Sequence, residues 1–118
     1  MARRPRNLGR APASEYRDGD NVIVLRGSLS AGTRSSYARI ANGEDLAPGA
    51  AREDAWQRAF EFLFERLTVS WTIAEAEPLT NQRELLGRLR FASTEERAWL
   101  RDRLREHCAQ YLPDVHAP

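Results

Sequence analysis

A stretch rich in aromatic residues and leucine, residues 54–71, constrains the fold of this chain more than any other. If the stretch is helical, its large apolar side chains recur with the spacing of one helical face. At about 100° per residue, six of them fall within an arc of roughly 100°. They are Trp56, Phe60, Leu63, Phe64, Leu67 and Trp71. The stretch therefore predicts the main core-facing helix.

A second, smaller apolar ridge is expected on the other side of this helix. Phe62 points away from the six-residue stripe, in line with Val69 and close to Arg66. An aromatic side chain on that side needs a cover, because exposed apolar patches mark contacts. Two covers remain open at this point: the strand or the last helix of the chain itself, or a partner protein.

The C-terminal end of this helix is contested by a strand pattern. Val69, Trp71 and Ile73 alternate with polar residues, as in a half-buried strand. If strand pairing prevails, the helix stops near Leu67 and Trp71 belongs to an extended segment. We favour a helix that runs to about Val69.

Turn and capping signals place the other elements. The turn residues 18–21 precede a β-branched run, residues 22–25, which predicts a short strand with residues 14–17 as a hairpin partner. Ser30, Asn81 and Ser93 stand where helix caps are expected, before helices at residues 31–41, from residue 82, and at residues 94–111. The predicted fold is mainly α, a small helical domain with a short N-terminal β strand or hairpin.

Length and composition favour one domain. The 118 residues leave no room for two independent cores. We divide the chain into a basic flexible arm at residues 1–14, one mainly helical domain at residues 15–112 and a tail at residues 113–118. No apolar run approaches the roughly 20 residues that span a bilayer, so we expect no membrane partner and a cytoplasmic location.

The sequence gives little support for the residue patterns of enzyme active sites. His107 and Cys108 are adjacent, so a helix separates their side chains by about 100° and a nucleophile–base pair is not expected. A single cysteine cannot form an internal disulfide and supplies too few thiolates for a structural zinc site. Residues 27–32 lack the lysine and spacing of a phosphate-binding loop. We therefore predict no enzyme, no catalytic residue, no cofactor and no metal site.

Arginines suggest a basic surface. Arg97, Arg101 and Arg105 recur every four residues along one flank of the last predicted helix. A row of like charges costs stability unless something negative lies near it. Together with the four arginines of residues 1–10, this row could follow a phosphate backbone. The near-neutral net charge of +1 argues against nucleic-acid binding, which we keep as an alternative.

The order of these features resembles a known family. A predicted strand leads into LRGSLSAGTR at residues 25–34, the apolar helix closes with VSWTI at residues 69–73, and PLT follows at residues 78–80. Over residues 21–90 this is similar to the small tail assembly chaperones of long-tailed bacteriophages. The chain departs from the family pattern between Trp71 and Pro78, where Glu75 and Glu77 stand without a glycine.

The resemblance implies a non-catalytic protein that coats the long helical tape measure protein in the infected bacterial host before the tail tube polymerises. Such a chaperone needs apolar ridges that accept amphipathic helices. The expected partner-binding residues are Phe62, Arg66 and Val69, with Arg97, Arg101 and Arg105 as an electrostatic rim. The alternatives are a phage structural component of head, neck or tail that stays in the virion, and a small nucleic-acid-binding protein. Other phage structural proteins or a homo-oligomer remain alternative partners.

Overall fold

The computed structural model describes residues 11–44, 46–47, 49 and 52–118. Within them, three strands and four helices follow one another along the chain. They are β1 (Ala11–Asp18), β2 (Asn21–Gly27), α1 (Ala31–Ala41), α2 (Arg52–Leu67), β3 (Thr68–Thr72), α3 (Gln82–Arg90) and α4 (Thr94–Tyr111). The strands form one antiparallel sheet in the order β1-β2-β3.

The first two strands form a tight hairpin. Asp18 pairs with Asn21 across a two-residue turn, in which Gly19 has a φ of 62°. Glycine is favoured at the first position of such hairpin turns because it adopts positive φ without steric cost. The turn sets the register of the hairpin, so that Tyr16 lies opposite Ile23.

The main helix is shorter than expected. It ends at Leu67, and β3 begins at Thr68. Our expectation of a helix to about Val69 is wrong, because the alternating residues after Leu67 pair with β2, which places Trp71 opposite Ile23. Trp71 also exchanges two backbone hydrogen bonds with Leu79, of 3.0 and 2.8 Å, along the outer edge of β3.

The mainly α fold class is therefore wrong. Of the residues that the structure describes, 52% are helical and 19% are in strands, a mixed α/β fold. The expectation of one short strand or hairpin missed the third strand. Pairing between β2 and β3 joins segments far apart in sequence, and it adds backbone hydrogen bonds to the strand preference of the β-branched and aromatic residues 68–73.

One buried cluster joins the helices to one face of the sheet. It is composed of Ile23 and Leu25 of β2 with apolar side chains from all four helices, β3 and the C-terminal segment: Tyr37, Ala59, Phe60, Leu63, Phe64, Leu67, Trp71, Leu85, Leu89, Leu100, Leu104, Cys108, Leu112 and Val115. Five members of the predicted stripe are buried, but Trp56 is 53% exposed. Trp56 has the angular position of the buried face, so its exposure reflects its place near the start of α2.

The ends of the chain bear on the predicted domain limits. Residues 1–10 of the expected arm lie outside the described residues, and residues 11–14 belong to β1. In the expected tail, Val115 is buried, Tyr37 donates a 2.6 Å hydrogen bond to the carbonyl of His116, and Arg105 donates one of 2.8 Å to the carbonyl of Pro118. No helix in the described part of the chain has both the length and the apolar character needed to cross a membrane.

Candidate partner-binding site

Phe62 lies on α2 between two neighbours. Its ring packs against the ring of Tyr37 from α1, with centroids 6.4 Å apart, and the guanidinium of Arg66 lies 4.7 Å from its centroid. The second ridge of α2 is thus partly covered by α1, whereas the sequence suggested the strand or the last helix of the chain as the internal cover. The remaining surface of Phe62 is accessible, because its side chain is only half-buried.

That remaining surface lines a cleft between three helices. Ile40 of α1, Phe62 of α2 and Leu86 of α3 supply its apolar lining. The cleft has a volume of about 400 Å³ and is open to solvent. We call it the three-helix cleft. Phe62 contributes to the cleft the part of its ring that Tyr37 and Arg66 leave uncovered.

Charged side chains of α2 form the rim of the three-helix cleft. They are Arg58, Glu61 and Glu65. Glu61 accepts hydrogen bonds from Gln57 at 3.1 Å and from Arg90 at 3.2 Å, whereas the nearest ion-pair distance of Glu65, to Arg66, is 3.9 Å. Exposed pairs of this kind contribute little stability, so these groups can re-pair with an incoming partner at small cost.

Val69 does not join Phe62 and Arg66. It lies on β3, where the pairing with β2 shifts between Val24 and Leu25. It is not among the described residues that line the three-helix cleft. The expected ridge from Phe62 to Val69 required a continuous helix, and the end of α2 at Leu67 divides it.

The three arginines of the expected rim each have an intramolecular contact. Arg97 donates to the carbonyl of Arg90 at 3.3 Å, Arg101 lies 5.2 Å from the ring centroid of Phe60, and Arg105 holds the carbonyl of Pro118. Arg105 also lies 3.6 Å from Asp102. The row lies on α4, and none of its three arginines is among the described residues that line the three-helix cleft.

Sequence reasoning missed two residues of the cleft. Leu85 and Leu86 are adjacent, so their side chains point about 100° apart on the helix, and of these two only Leu85 is fully buried. That spacing was the available signal for Leu86. Ile40 of α1 is likewise only partly buried and lines the cleft beside Phe62. Phe91, 87% exposed at the end of α3, was not singled out.

His107 and Cys108 are both buried in α4, where they serve packing. His107 is bonded at both ring nitrogens, to the Tyr16 hydroxyl at 2.8 Å and to the Arg26 carbonyl at 2.6 Å. Burial lowers the pKa of His107 from its ordinary value of 6.5 and raises the pKa of the Cys108 thiol to about 12. A neutral imidazole with no free nitrogen and a protonated thiol lack the properties of a nucleophilic pair.

The described residues also contain no group of three or more His, Cys, Asp and Glu side chains arranged to hold a metal ion. The geometry that stands out is therefore an open apolar cleft with a charged rim. No family model, curated protein or solved structure matches this chain.

Proposed function

We propose that this chain is a tail assembly chaperone that binds an amphipathic helical segment of a phage tape measure protein in the three-helix cleft, without catalysis, in the cytoplasm of the infected host. The observation that carries the proposal is the half-covered Phe62, which lines an open cleft with Ile40 and Leu86. The sequence resemblance over residues 21–90 supplies the identity of the client.

The size and lining of the cleft suit a helix. Ligand sites have volumes of about 300–1,000 Å³, and the three-helix cleft, at about 400 Å³, takes the large side chains of one or two helical turns. Helices that dock in grooves present apolar side chains at positions i, i+3, i+4 and i+7. The apolar lining comes from three separate helices, so the cleft is bounded by rigid elements on more than one side.

The charged rim of the cleft favours particular residues beside the apolar stripe of the client helix. Glu61 and Glu65 are four residues apart on α2, so both carboxylates lie on one side of the helix, and Arg58 precedes Glu61 by one turn. A client with basic residues one turn apart beside its apolar stripe would match the two carboxylates. Such charge complementarity contributes more to specificity and association rate than to affinity.

The nucleic-acid alternative receives less support. A phosphate-tracking surface is expected from a strongly basic chain, and the net charge here is only +1. A structural component that stays in the particle has no specific observation in its favour. Detection of the protein in purified virions would support that alternative against a chaperone that leaves.

Binding of the tape measure protein encoded beside this chain tests the proposal. Phe62→Ala should weaken binding about tenfold or more, as expected for a central aromatic contact. Phe91→Ala is the matched control, because it removes an exposed phenylalanine that does not line the cleft, and it should leave affinity unchanged. Isothermal titration calorimetry at a temperature where both variants remain folded by circular dichroism measures the difference.

A charge reversal distinguishes specific binding in the three-helix cleft from nonspecific association. Glu65→Arg on the rim should slow association with a client of basic flanks, and Glu77→Arg, in the exposed connection after β3, should not. Two results would contradict binding in the three-helix cleft. In the first, the native chain and Phe62→Ala bind the client with equal affinity. In the second, Phe91→Ala loses as much affinity as Phe62→Ala.

A further inference from the structure

The outer edge of β1 is complementary in charge to a second copy of itself. We propose that two copies of the chain pair antiparallel through their β1 edges and join their sheets into one of six strands. The sheet order β1-β2-β3 leaves one side of β1 without a neighbouring strand in the part of the chain that the structure describes. The other edge of the sheet differs, since Leu79 bonds to Trp71 of β3.

The hairpin turn determines which backbone groups of β1 face that edge. In a two-residue hairpin, the residues that flank the turn form a hydrogen-bonded pair, and hydrogen-bonded and non-bonded pairs then alternate. Asp18–Asn21 and Tyr16–Ile23 are therefore bonded pairs. The backbone N–H and C=O groups of Glu15 and Arg17, between them, are directed to the open edge.

These two residues also carry the charges that select the register. An antiparallel pair centred on Tyr16 places Glu15 opposite Arg17 of the second copy, and Arg17 opposite Glu15 of the second copy. Both side chains are exposed, at 49% and 65%, and they already form an ion pair of 2.8 Å within one chain. In the paired chains, the four charged side chains would therefore lie on one face of the sheet, and each would face a side chain of opposite charge on the other chain. This cross-strand arrangement is favourable.

The remaining residues of β1 limit the length of the contact. Pro12 lacks a backbone N–H, and the register of β1 is irregular between Ala11 and Ser14. Gly19 begins the turn at the other end. The paired segment thus covers residues 14–18, and an isolated pairing of two such strands is only marginally stable in water. Pairing should accordingly be reversible and depend on concentration.

This inference is independent of the proposed client. The β1 edge shares no residue with the three-helix cleft, so self-pairing and helix binding can fail separately. An exposed strand edge also invites association with other chains. The charge self-complementarity of the β1 edge favours a second copy of the chain as the occupant of that edge. If another protein were the occupant, the chain alone would remain monomeric.

Sedimentation equilibrium over a wide range of protein concentrations tests the pairing. The native chain should show a monomer–dimer equilibrium. Arg17→Glu alone and Glu15→Arg alone should each weaken it about tenfold, because like charges then oppose each other at both positions. An equimolar mixture of the two variants should restore dimers, since the basic edge of one faces the acidic edge of the other. The exchanged double variant E15R/R17E should dimerise like the native chain.

Amide hydrogen exchange gives a readout specific to strand pairing. The amides of Glu15 and Arg17 should gain protection as concentration rises, whereas the amide of Tyr16, already bonded in the hairpin, should change little. Circular dichroism of each variant checks that the hairpin remains folded. A native chain that is monomeric throughout, single variants that dimerise as well as it does, or a mixture that fails to recover dimers would each overturn the proposal.

Discussion

The hydroxyl of Tyr16 lies 2.8 Å from Nδ1 of His107 and connects the edge strand β1 to the last helix. The other ring nitrogen, Nε2, lies 2.6 Å from the carbonyl oxygen of Arg26 on β2. A carbonyl oxygen can only accept, so Nε2 carries the proton, and Nδ1 accepts the proton of the Tyr16 hydroxyl. One neutral histidine thus joins α4 to two strands.

Loss of the Tyr16 hydroxyl should destabilise the fold. Tyr16→Phe leaves Nδ1 of the buried His107 without its partner, which costs about 1–3 kcal/mol. Urea denaturation measures this loss as a lower midpoint. Tyr111→Phe is the matched control: the Tyr111 ring packs 4.9 Å from His107, but its hydroxyl has no hydrogen bond within the described residues. Similar losses in both variants would contradict the role assigned to the Tyr16 hydroxyl.

Stability should fall in mild acid because of His107. Burial lowers its pKa below the ordinary value of 6.5, so between those two pKa values the unfolded chain binds more protons than the folded chain. The free energy of unfolding therefore decreases as pH falls through about 6.5 and levels off below the folded pKa. Urea titrations from about pH 8 to about pH 5 measure this slope.

Two histidine variants identify the residue that causes the decrease in the free energy of unfolding. His116 is exposed, so His116→Asn should retain the decrease in stability, and His107→Gln should lose it from an already lower starting stability. Glu96, whose pKa is lowered chiefly by the backbone N–H of Ser93, contributes stability that is lost only as pH falls below its ordinary value of 4.5, outside this window. A slope that persists in His107→Gln would contradict the assignment.

The Cys108 thiol should resist modification in the folded chain. It is 1% exposed, and burial raises its pKa to about 12, so neither access nor thiolate is available near neutral pH. Reaction with Ellman's reagent should be slow in buffer and rapid in denaturing urea. Fast reaction in buffer, at a rate independent of unfolding, would show that α4 does not pack as described.

The two ends of the predicted stripe should behave differently when truncated. Trp71 is buried, packs edge-to-face against Phe64 at 5.5 Å and lies 5.3 Å from the Arg88 guanidinium. Trp71→Ala should cost about 3–5 kcal/mol. Trp56 is 53% exposed, and Trp56→Ala should cost about 1 kcal/mol or less. Thermal denaturation compares the two variants, and equal losses would contradict the burial difference.

Local signals in the sequence predicted the hairpin and the helix starts. The turn before Asn21, the caps at Ser30 and Asn81 and the capping box of Ser93 all involve side chains within a few residues of the groups they satisfy. Such contacts can be inferred from spacing alone. The last helix, expected at residues 94–111, has those bounds.

The third strand and the cleft depend on contacts between distant segments. The alternation of residues 69–73 indicated a strand as an alternative, but the residue at which the helix ends depends on pairing with β2. In the same way, the periodicity of α2 showed that Phe62 lies off the main stripe but not that Tyr37 of α1 would cover half of it. Leu86 and Ile40 completed the cleft only once three helices were placed.

Amide chemical-shift mapping tests whether a helical client occupies the three-helix cleft. The native chain is titrated with a helical segment of a phage tape measure protein, the client that we propose. We predict the largest shift changes around Ile40, Phe62 and Leu86, with saturation at one site, and small changes around Phe91 and the β1 edge. Shift changes centred on Phe91, on Trp56 or on the α4 arginines, with the shifts of the cleft residues unchanged, would contradict binding of the client in the three-helix cleft.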